Sequence, residues 1–401
     1  MTDTAAATPN AGPLAGLKVL ELGQLIAGPF AGKTLAEFGA EVIKIEPPGE
    51  GDPLRKWRLL HHGTSVWWQV QSRNKQSVVL DLRSPEGRAD AARLAAEADV
   101  LIENFKPGTL EKWGLGYEAL AATNPGLIML RISGYGQTGP YRDLPGFAVV
   151  AEAMGGLRHL MGEPGRPPVR AGVSLGDTLA ALHGVIGVLL ALQARAKSIS
   201  ADAPKGRGQV VDVALYESVF NCMESLLPEY SAFGTVRQPA GSALPGIAPS
   251  NAYRCADGQV VIGGNGDSIF KRLMASIGRD DLGADHGLAD NAQRAARVDE
   301  LDAAITAWTL QRPVAEVVAV LQAASVPAGR IYTVADIAAD PHFQARGMIA
   351  QATTPDGLTL AVPGICPKLS ATPGAIRSAA PTLGQHTAQV LAALRERGAR
   401  T

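Results

Sequence analysis

The stretch with the clearest chemical content is Pro168-Val-Arg-Ala-Gly-Val-Ser-Leu-Gly-Asp177, followed by the uncharged run Thr178-Leu-Ala-Ala-Leu-His-Gly-Val-Ile-Gly-Val-Leu-Leu-Ala-Leu192. A short extended segment ends in Gly176-Asp177. From Thr178 the chain is apolar on nearly every side for about four turns, which predicts a helix buried within the fold. One carboxylate therefore stands at the mouth of a buried helix. Two roles are open to it. As an N-cap, Asp177 would accept a hydrogen bond from a free backbone N–H of the first turn. As a nucleophile, it would be kept ionised by the helix dipole, with Gly176 leaving its flank open to a substrate. One residue can serve in both roles.

The elements that must position this carboxylate alternate between strand and helix. Leu17–Leu22 reads as a strand, Gly28–Gly39 as a helix stopped by glycine, and Glu41–Glu46 as a second strand broken by Pro47-Pro48. Ser77–Leu82, Asp99–Glu103, Leu127–Ile132 and Gln209–Ala214 add strands, with a helix over Pro85–Ala98 and another through Tyr216 to Leu227. This alternation predicts an α/β fold: a Rossmann-like, doubly wound, mostly parallel sheet with right-handed crossovers. Ligands bind such sheets at the carboxyl ends of the strands, which directs attention to the turns 23–28, 104–108 and 133–139. No G-x-G-x-x-G follows the first strand and no G-x-x-x-x-G-K-[ST] occurs, so an ordinary NAD enzyme or P-loop NTPase is disfavoured.

The chain of 401 residues is long enough for more than one domain. Proline and glycine thicken between Glu229 and Pro249, marking a linker. Beyond it a hairpin around Ala256-Asp-Gly258 and helices through Leu321 read as a smaller α+β domain. The expected division is a disordered tail (1–12), a large domain (13–228), a linker with the small domain (229–325), and a return to the large domain (326–401). Lys plus Arg (37) and Asp plus Glu (38) nearly cancel, so no basic field argues for nucleic acid. Cys222, Cys255 and Cys366 form no close pair, which indicates neither disulfides nor a zinc knuckle and fits a reducing cytoplasm; no metal site is read. The N-terminus lacks a signal-peptide pattern, and the apolar run Thr178–Ala194 falls short of the ~20 residues of a membrane span, so no membrane association is expected.

Ten short matches, taken in order, are more specific than any one of them. They are Leu20-Glu-Leu22 with Ala27-Gly-Pro29, Phe38–Glu46 with Gly51-Asp52, Asn74-Lys75 with Leu80-Asp-Leu82, and Glu103-Asn-Phe-Lys-Pro-Gly108. Then come Ser133-Gly-Tyr-Gly136, Gly176-Asp177, Gly206-Arg-Gly-Gln209, Val326-Pro-Ala-Gly329, Asp340-Pro-His342 and Leu383-Gly-Gln-His-Thr387. In this order, from Leu17 to Leu394, the chain resembles the class III coenzyme A transferases, the family of L-carnitine CoA-transferase, formyl-CoA transferase and the α-methylacyl-CoA racemases.

The resemblance implies an interlocked homodimer in which Asp177 is the nucleophile. Its carboxylate attacks an acyl-CoA to give an aspartyl anhydride, then an aspartyl-CoA thioester from which CoA passes to an acceptor acid. A carboxylate exchanging with a thioester needs an ionised nucleophile and donors for the oxyanion, not a histidine base. Coenzyme A or acyl-CoA is then a substrate, with no permanently bound cofactor. The CoA contacts carry over to Ile26, Ala27, Leu80, Arg83, Asn104, Phe105 and Lys106, with Lys112 a further phosphate candidate. Pro47 departs from the pattern, since some members have a nucleotide-contacting arginine there. The racemases carry a histidine just after the Ser-Gly-Tyr-Gly turn; here Pro145-Gly-Phe-Ala-Val-Val150 has none, which favours transfer. Arg170, seven residues before Asp177, is a candidate for a second carboxylate of the acceptor, against the alternative of a surface arginine in a weak ion pair. Members with a similar Val-Arg-x-Gly-Val segment include succinyl-CoA-dependent transferases acting on dicarboxylates. The expectation is succinyl-CoA as donor and a dicarboxylic or related acid as acceptor. The alternatives are a racemase, an intramolecular CoA-transferase, or a non-catalytic CoA-binding protein.

Overall fold

The computed structural model describes residues 12–398, so the tail expected over 1–12 lies, apart from Gly12, outside the described residues. Two compact units divide the chain. Unit 1 runs to Leu157, resumes over Ala171–Glu224 and again from Gln344, and unit 2 comprises Arg158–Arg170 and Ser225–Phe343.

In unit 1 the apolar strand segments are β1 (Lys18–Glu21), β2 (Glu41–Glu46), the short hairpin arms β3 (Leu60–His61) and β4 (Thr64–Ser65), β5 (Lys75–Val79), β6 (Val100–Glu103), β7 (Ile128–Ser133) and β8 (Val210–Ala214). Six of them form one sheet in the order β5-β2-β1-β6-β7-β8, with every pair parallel. Helices α1 (Ala27–Glu37), α2 (Val66–Gln71), α3 (Pro85–Glu97), α4 (Thr109–Lys112), α5 (Tyr117–Ala121), α6 (Ala148–Met154), α8 (Leu175–Lys197) and α9 (Leu215–Phe220) fill the connections, and α7 (Leu157–Leu160) falls at the passage into unit 2. Because strand side chains alternate, Val19, Val100, Ile102, Ile128 and Leu130 face α1, α6, α8 and α9. Leu20, Leu101 and Met129 face α3, α5 and the C-terminal helix Thr387–Gly398. The chain passes from β1 outward through β2 to β5, then returns to β6 on the other side. The topological switch point therefore lies between β1 and β6.

Helix α8 begins three residues earlier than the sequence reading and is 23 residues long, with mean hydropathy 1.8 over its most apolar window. It is thus long and apolar enough to cross a membrane, contrary to the length argument made from Thr178–Ala194. In unit 1 one face of it packs on β7 and β8 instead. Ala180, Ala181, Gly184, Val188 and Ala191 are buried there, and Gly184 and Gly187 bring the helix backbone against Leu130 and Val211. The helix read through Tyr216–Leu227 is two helices. After α9 ends at Phe220 the chain turns at Glu224 (φ 49°), and a new helix runs over Leu226–Phe233.

Unit 2 is built on the antiparallel sheet β11-β10-β9, from β9 (Ser250–Arg254), β10 (Gln259–Gly263) and β11 (Ala328–Arg330). Its helices close over Tyr253, Val260, Phe270, Leu273, Leu301 and Leu321. Residues 326–343, expected with the large domain, belong here because β11 hydrogen-bonds to β10. Unit 1 resumes with the hairpin β12 (Ile349–Thr353) and β13 (Thr359–Pro363).

Candidate active site

The turn after β1 lies at the switch point and is held in an unfavourable backbone shape. Leu25 adopts φ 64°, a left-handed conformation rare for a leucine. Three side chains fix it. The Leu25 N–H donates to the Asp52 carboxylate at 3.1 and 3.2 Å, the Gly23 carbonyl accepts from Lys44 Nζ at 2.7 Å, and Asn104 exchanges two 2.8 Å hydrogen bonds with the Gln24 backbone. A Cβ on Gly23 would lie 3.0 Å from the Gly28 Cα and 3.2 Å from Asn104 Oδ1, so the turn closes this tightly only around glycine.

Beneath the turn runs a buried charge network. Lys44 pairs with Glu21 at 2.9 Å and Asp52 at 2.8 Å, Lys75 pairs with the other Glu21 oxygen at 2.7 Å, and Arg55 grips Glu46 with two hydrogen bonds. Burial alone would lower the Lys44 ammonium, but the Asp52, Glu21 and Glu46 carboxylates raise it. Burial likewise opposes ionisation of Asp52, yet Lys44 and the Leu54 and Leu25 N–H groups hold its carboxyl below the aspartate range. Lys75, buried against a single carboxylate, is pushed down to about 8. After β6, Glu103 plays a similar part: it accepts from the Phe105 N–H at 2.8 Å and is itself held by Arg131 of β7 at 2.7 Å.

Above this floor opens a cavity of about 170 Å³. Gln24, Leu25, Ile26 and Ala27 line it after β1, Asn104 and Phe105 after β6, and Ser133 and Gly134 at the end of β7; Trp57, Gly146, Phe147 and Asp177 complete most of the wall. Asp177 is the only Asp, Glu, Lys, Arg or His among these residues. It is half-buried and occupies the first turn of α8. The helix N-cap is Ser174, not Asp177 as one sequence reading had it, because helical backbone already starts at Leu175. Thr178 N–H donates to the Ser174 carbonyl at 3.2 Å, and Gly176 N–H donates to the buried Glu152 at 3.3 Å. The Gly176 and Thr178 donors of this turn are thus committed. Asp177 sits where the positive end of a 23-residue helix favours a carboxylate.

Five of the sequence-derived site residues, Ile26, Ala27, Asn104, Phe105 and Asp177, share this cavity. Leu80 is buried in the core at the end of β5. Arg83, Lys106 and Lys112 are exposed, the first two in turns at the carboxyl edge of the same sheet. None of these four lines the cavity. Arg170, exposed, closes the short segment grouped with unit 2. Sequence reasoning missed Trp57, which no motif singled out, and quoted Gly146 and Phe147 only for the absence of a histidine beside them, not as part of the wall. It quoted Gly51-Asp52 without seeing that Asp52 holds the Leu25 N–H, a contact across 27 positions that no local pattern marks.

A doubly wound sheet with a carboxylate-bearing cavity at its switch point defines an α/β enzyme whose ligand lies across the carboxyl ends of the strands. Comparison with known proteins gives that class its family. The family model described as CoA-transferase family III matches residues 14–387. The chain is 49% identical to the succinyl-CoA–D-citramalate CoA-transferase of Chloroflexus aurantiacus over 94% of this chain and 93% of that one. It is 44% identical to the succinyl-CoA–L-malate CoA-transferase beta subunit of the same organism, over 94% and 93%. The crystal structure of a CAIB/BAIF family protein from Brucella suis superposes with a TM-score of 0.83 at 38% identity, covering 96% of this chain and all of that one. The chain belongs to CoA-transferase family III and is an enzyme of the CoA-transferase class.

Proposed function

We propose that this enzyme moves coenzyme A from succinyl-CoA to a dicarboxylic or related organic acid through covalent intermediates on Asp177. The observation that carries the reading is that Asp177 is the one charged residue among those lining a switch-point cavity. A cavity near 170 Å³ admits the reacting end of an acyl-CoA, whereas whole ligands of that kind occupy pockets of about 300–1,000 Å³. The nucleotide then extends along the carboxyl edge of the sheet. Ile26, Ala27, Asn104 and Phe105 hold the pantetheine end, with Leu80, Arg83, Lys106 and Lys112 toward the phosphates and adenine.

An Asp177 oxygen attacks the thioester carbonyl, the C–S bond breaks, and CoA leaves as thiolate with the electron pair. The thiolate attacks the Asp177 acyl carbon of the resulting anhydride, the C–O bond breaks, and succinate departs. An acceptor carboxylate then attacks the aspartyl-CoA thioester and expels the thiolate again. The thiolate takes the new acyl group and regenerates Asp177. Every step exchanges one anion for another, so no general base is required, which agrees with a wall that holds no histidine. The N–H groups at the start of α1, whose N-cap Ile26 and first residue Ala27 line the cavity, are suited to the oxyanion. Relatives named for citramalate and malate support a short dicarboxylate as acceptor. Arg170, from its place in the sequence, is the proposed partner of the acceptor's second carboxylate. Replacing it with alanine should depress turnover of dicarboxylates more than of monocarboxylates.

We further place the enzyme in the cytoplasm as an interlocked homodimer. Leu182, Ile186, Leu189 and Leu190 form an exposed apolar stripe on the outer face of α8, of a kind that a second copy would cover.

The deciding experiment is intact-mass analysis after incubation with succinyl-CoA and trapping with hydroxylamine or borohydride, in wild type and Asp177→Ala. An adduct mapping to the Asp177 peptide, absent from the variant, together with a fall in turnover of at least about 10³-fold, is expected. A protein that binds CoA yet forms no adduct with any acyl-CoA donor would overturn the covalent mechanism in favour of the racemase or binding readings.

A further inference from the structure

Within unit 1 and away from the Asp177 cavity, two turns far apart in sequence bring three ligand-type side chains together. His61 ends β3, His62 follows in the tight turn to β4, and Asp356 occupies the turn between β12 and β13. His61 Nε2 lies 3.1 Å and His62 Nδ1 lies 2.7 Å from the same atom, Asp356 Oδ2. The left-handed backbone of His62 (φ 45°), followed by Gly63, lets consecutive imidazoles stack, with ring centres 4.0 Å apart, and offer different ring nitrogens to one point. We propose that His61, His62 and Asp356 form a binding site for one borderline divalent cation of the Zn²⁺ class.

The donor set supports that choice. Two imidazoles and one carboxylate suit zinc, copper or nickel better than magnesium or calcium, which prefer all-oxygen shells. Ligand atoms held about 2.0–2.2 Å from zinc are separated by roughly 3 Å or slightly more, and all three donor atoms here lie within 4.8 Å of one another. The carboxylate is also oriented in advance. The Thr354 hydroxyl donates to Asp356 Oδ1 and so turns Oδ2 toward the imidazoles, an outer-shell contact of the sort that fixes metal ligands. The three side chains line a cavity of about 390 Å³, which leaves the remaining coordination positions open to water. A bound cation would pin the β3–β4 hairpin to the β12–β13 turn across 294 positions of sequence. This site does not depend on the proposed transfer reaction.

The test uses the full chain without a polyhistidine tag, stripped with chelator and titrated with Zn²⁺ against a chromophoric competitor. One Zn²⁺ per chain is expected. His62→Ala and Asp356→Ala should each weaken it at least tenfold, with Thr354→Val weakening it less. Zn²⁺ should raise the melting temperature of wild type and leave that of Asp356→Ala unmoved. Because Cys222 and Cys366 are exposed thiols that also attract zinc, the titration is repeated in Cys222→Ser/Cys366→Ser, which should keep the site. Melting of the metal-free variants at the wild-type temperature shows that they fold. Less than stoichiometric binding, or equal affinity in wild type and Asp356→Ala, would overturn the proposal and leave the three groups as hydrogen-bonded partners only.

Discussion

At the residue scale, the position most worth perturbing after Asp177 is Asp52. Its side chain is inaccessible to solvent, it pairs with Lys44, and it holds the N–H of a residue whose backbone is strained. Asp52→Asn keeps the shape but removes the charge, leaving Lys44 short of one buried partner. Breaking a buried pair from one side costs about 3–5 kcal/mol, far more than a surface pair is worth. With one of the two oxygens that accept from the Leu25 N–H replaced by an NH2 group, a weaker hold on Leu25 should also shift the cavity wall, and displacements near 1 Å can lower rates by about 10²-fold. The expected result is a destabilised enzyme whose kcat falls by about 10–100-fold while CoA affinity changes less. Denaturant melts combined with steady-state kinetics check it. Asn104→Ala should act in the same direction, since it removes both hydrogen bonds to the Gln24 backbone.

At the element scale, α8 presents two faces with opposite demands. Toward the sheet it needs small residues: a Cβ at position 184 would come within 2.9 Å of a Leu130 methyl, and one at 187 within 2.5 Å of a Val211 methyl. Replacing glycine in a helix ordinarily gains up to about 1 kcal/mol in propensity, but overpacking a closed core costs about 1–3 kcal/mol. Leu130 is fully buried, so the second effect wins for anything larger than alanine. Gly184→Val should therefore destabilise unit 1 by about 2 kcal/mol, measured as a lowered urea midpoint with unchanged slope. On the outer face, Leu190 is 65% exposed and Ile186 55%. If that stripe is the dimer contact, Leu190→Glu should yield monomers in light scattering at concentrations where wild type is dimeric. A dimer that survives the change would put the interface elsewhere.

At the scale of the whole molecule, the buried network under the β1 turn makes stability depend on pH. Asp52 and Glu46 have carboxyls held below their ordinary values, so the folded state binds fewer protons than the unfolded chain in the acid range. Their contribution is complete above the ordinary carboxylate range, and it is lost as pH falls through their folded values. The unfolding midpoint should therefore decline as pH falls below the ordinary values of 4.5 for Glu46 and 3.8 for Asp52, and Asp52→Asn should decline less steeply there. His386 adds to the same trend near neutrality. Burial lowers its pKa from 6.5, so below that value the unfolded chain takes up a proton that the folded protein resists.

Much of this protein was legible in its residues. The alternation from Leu17 to Ala214 implied a doubly wound parallel sheet because strand and helix periods are local properties of the chain. The order of ten short matches, Gly176-Asp177 among them, carried the family, since a series of matches in fixed order is more specific than any one of them. Other features were decided by distance in space. Asp177 as a first-turn residue and not a cap, the Asp52 to Leu25 contact, and the return of residues 326–343 to the β10 edge all depend on which segments meet after folding. So does the meeting of His61, His62 and Asp356. A sequence records which groups are available, and neighbours along it constrain turns and helix ends. Pairings across tens or hundreds of residues are set by how the sheet orders its strands and how tightly the helices close on it. That is why a lone glycine, a buried lysine or a surface histidine acquires its meaning only in the folded chain.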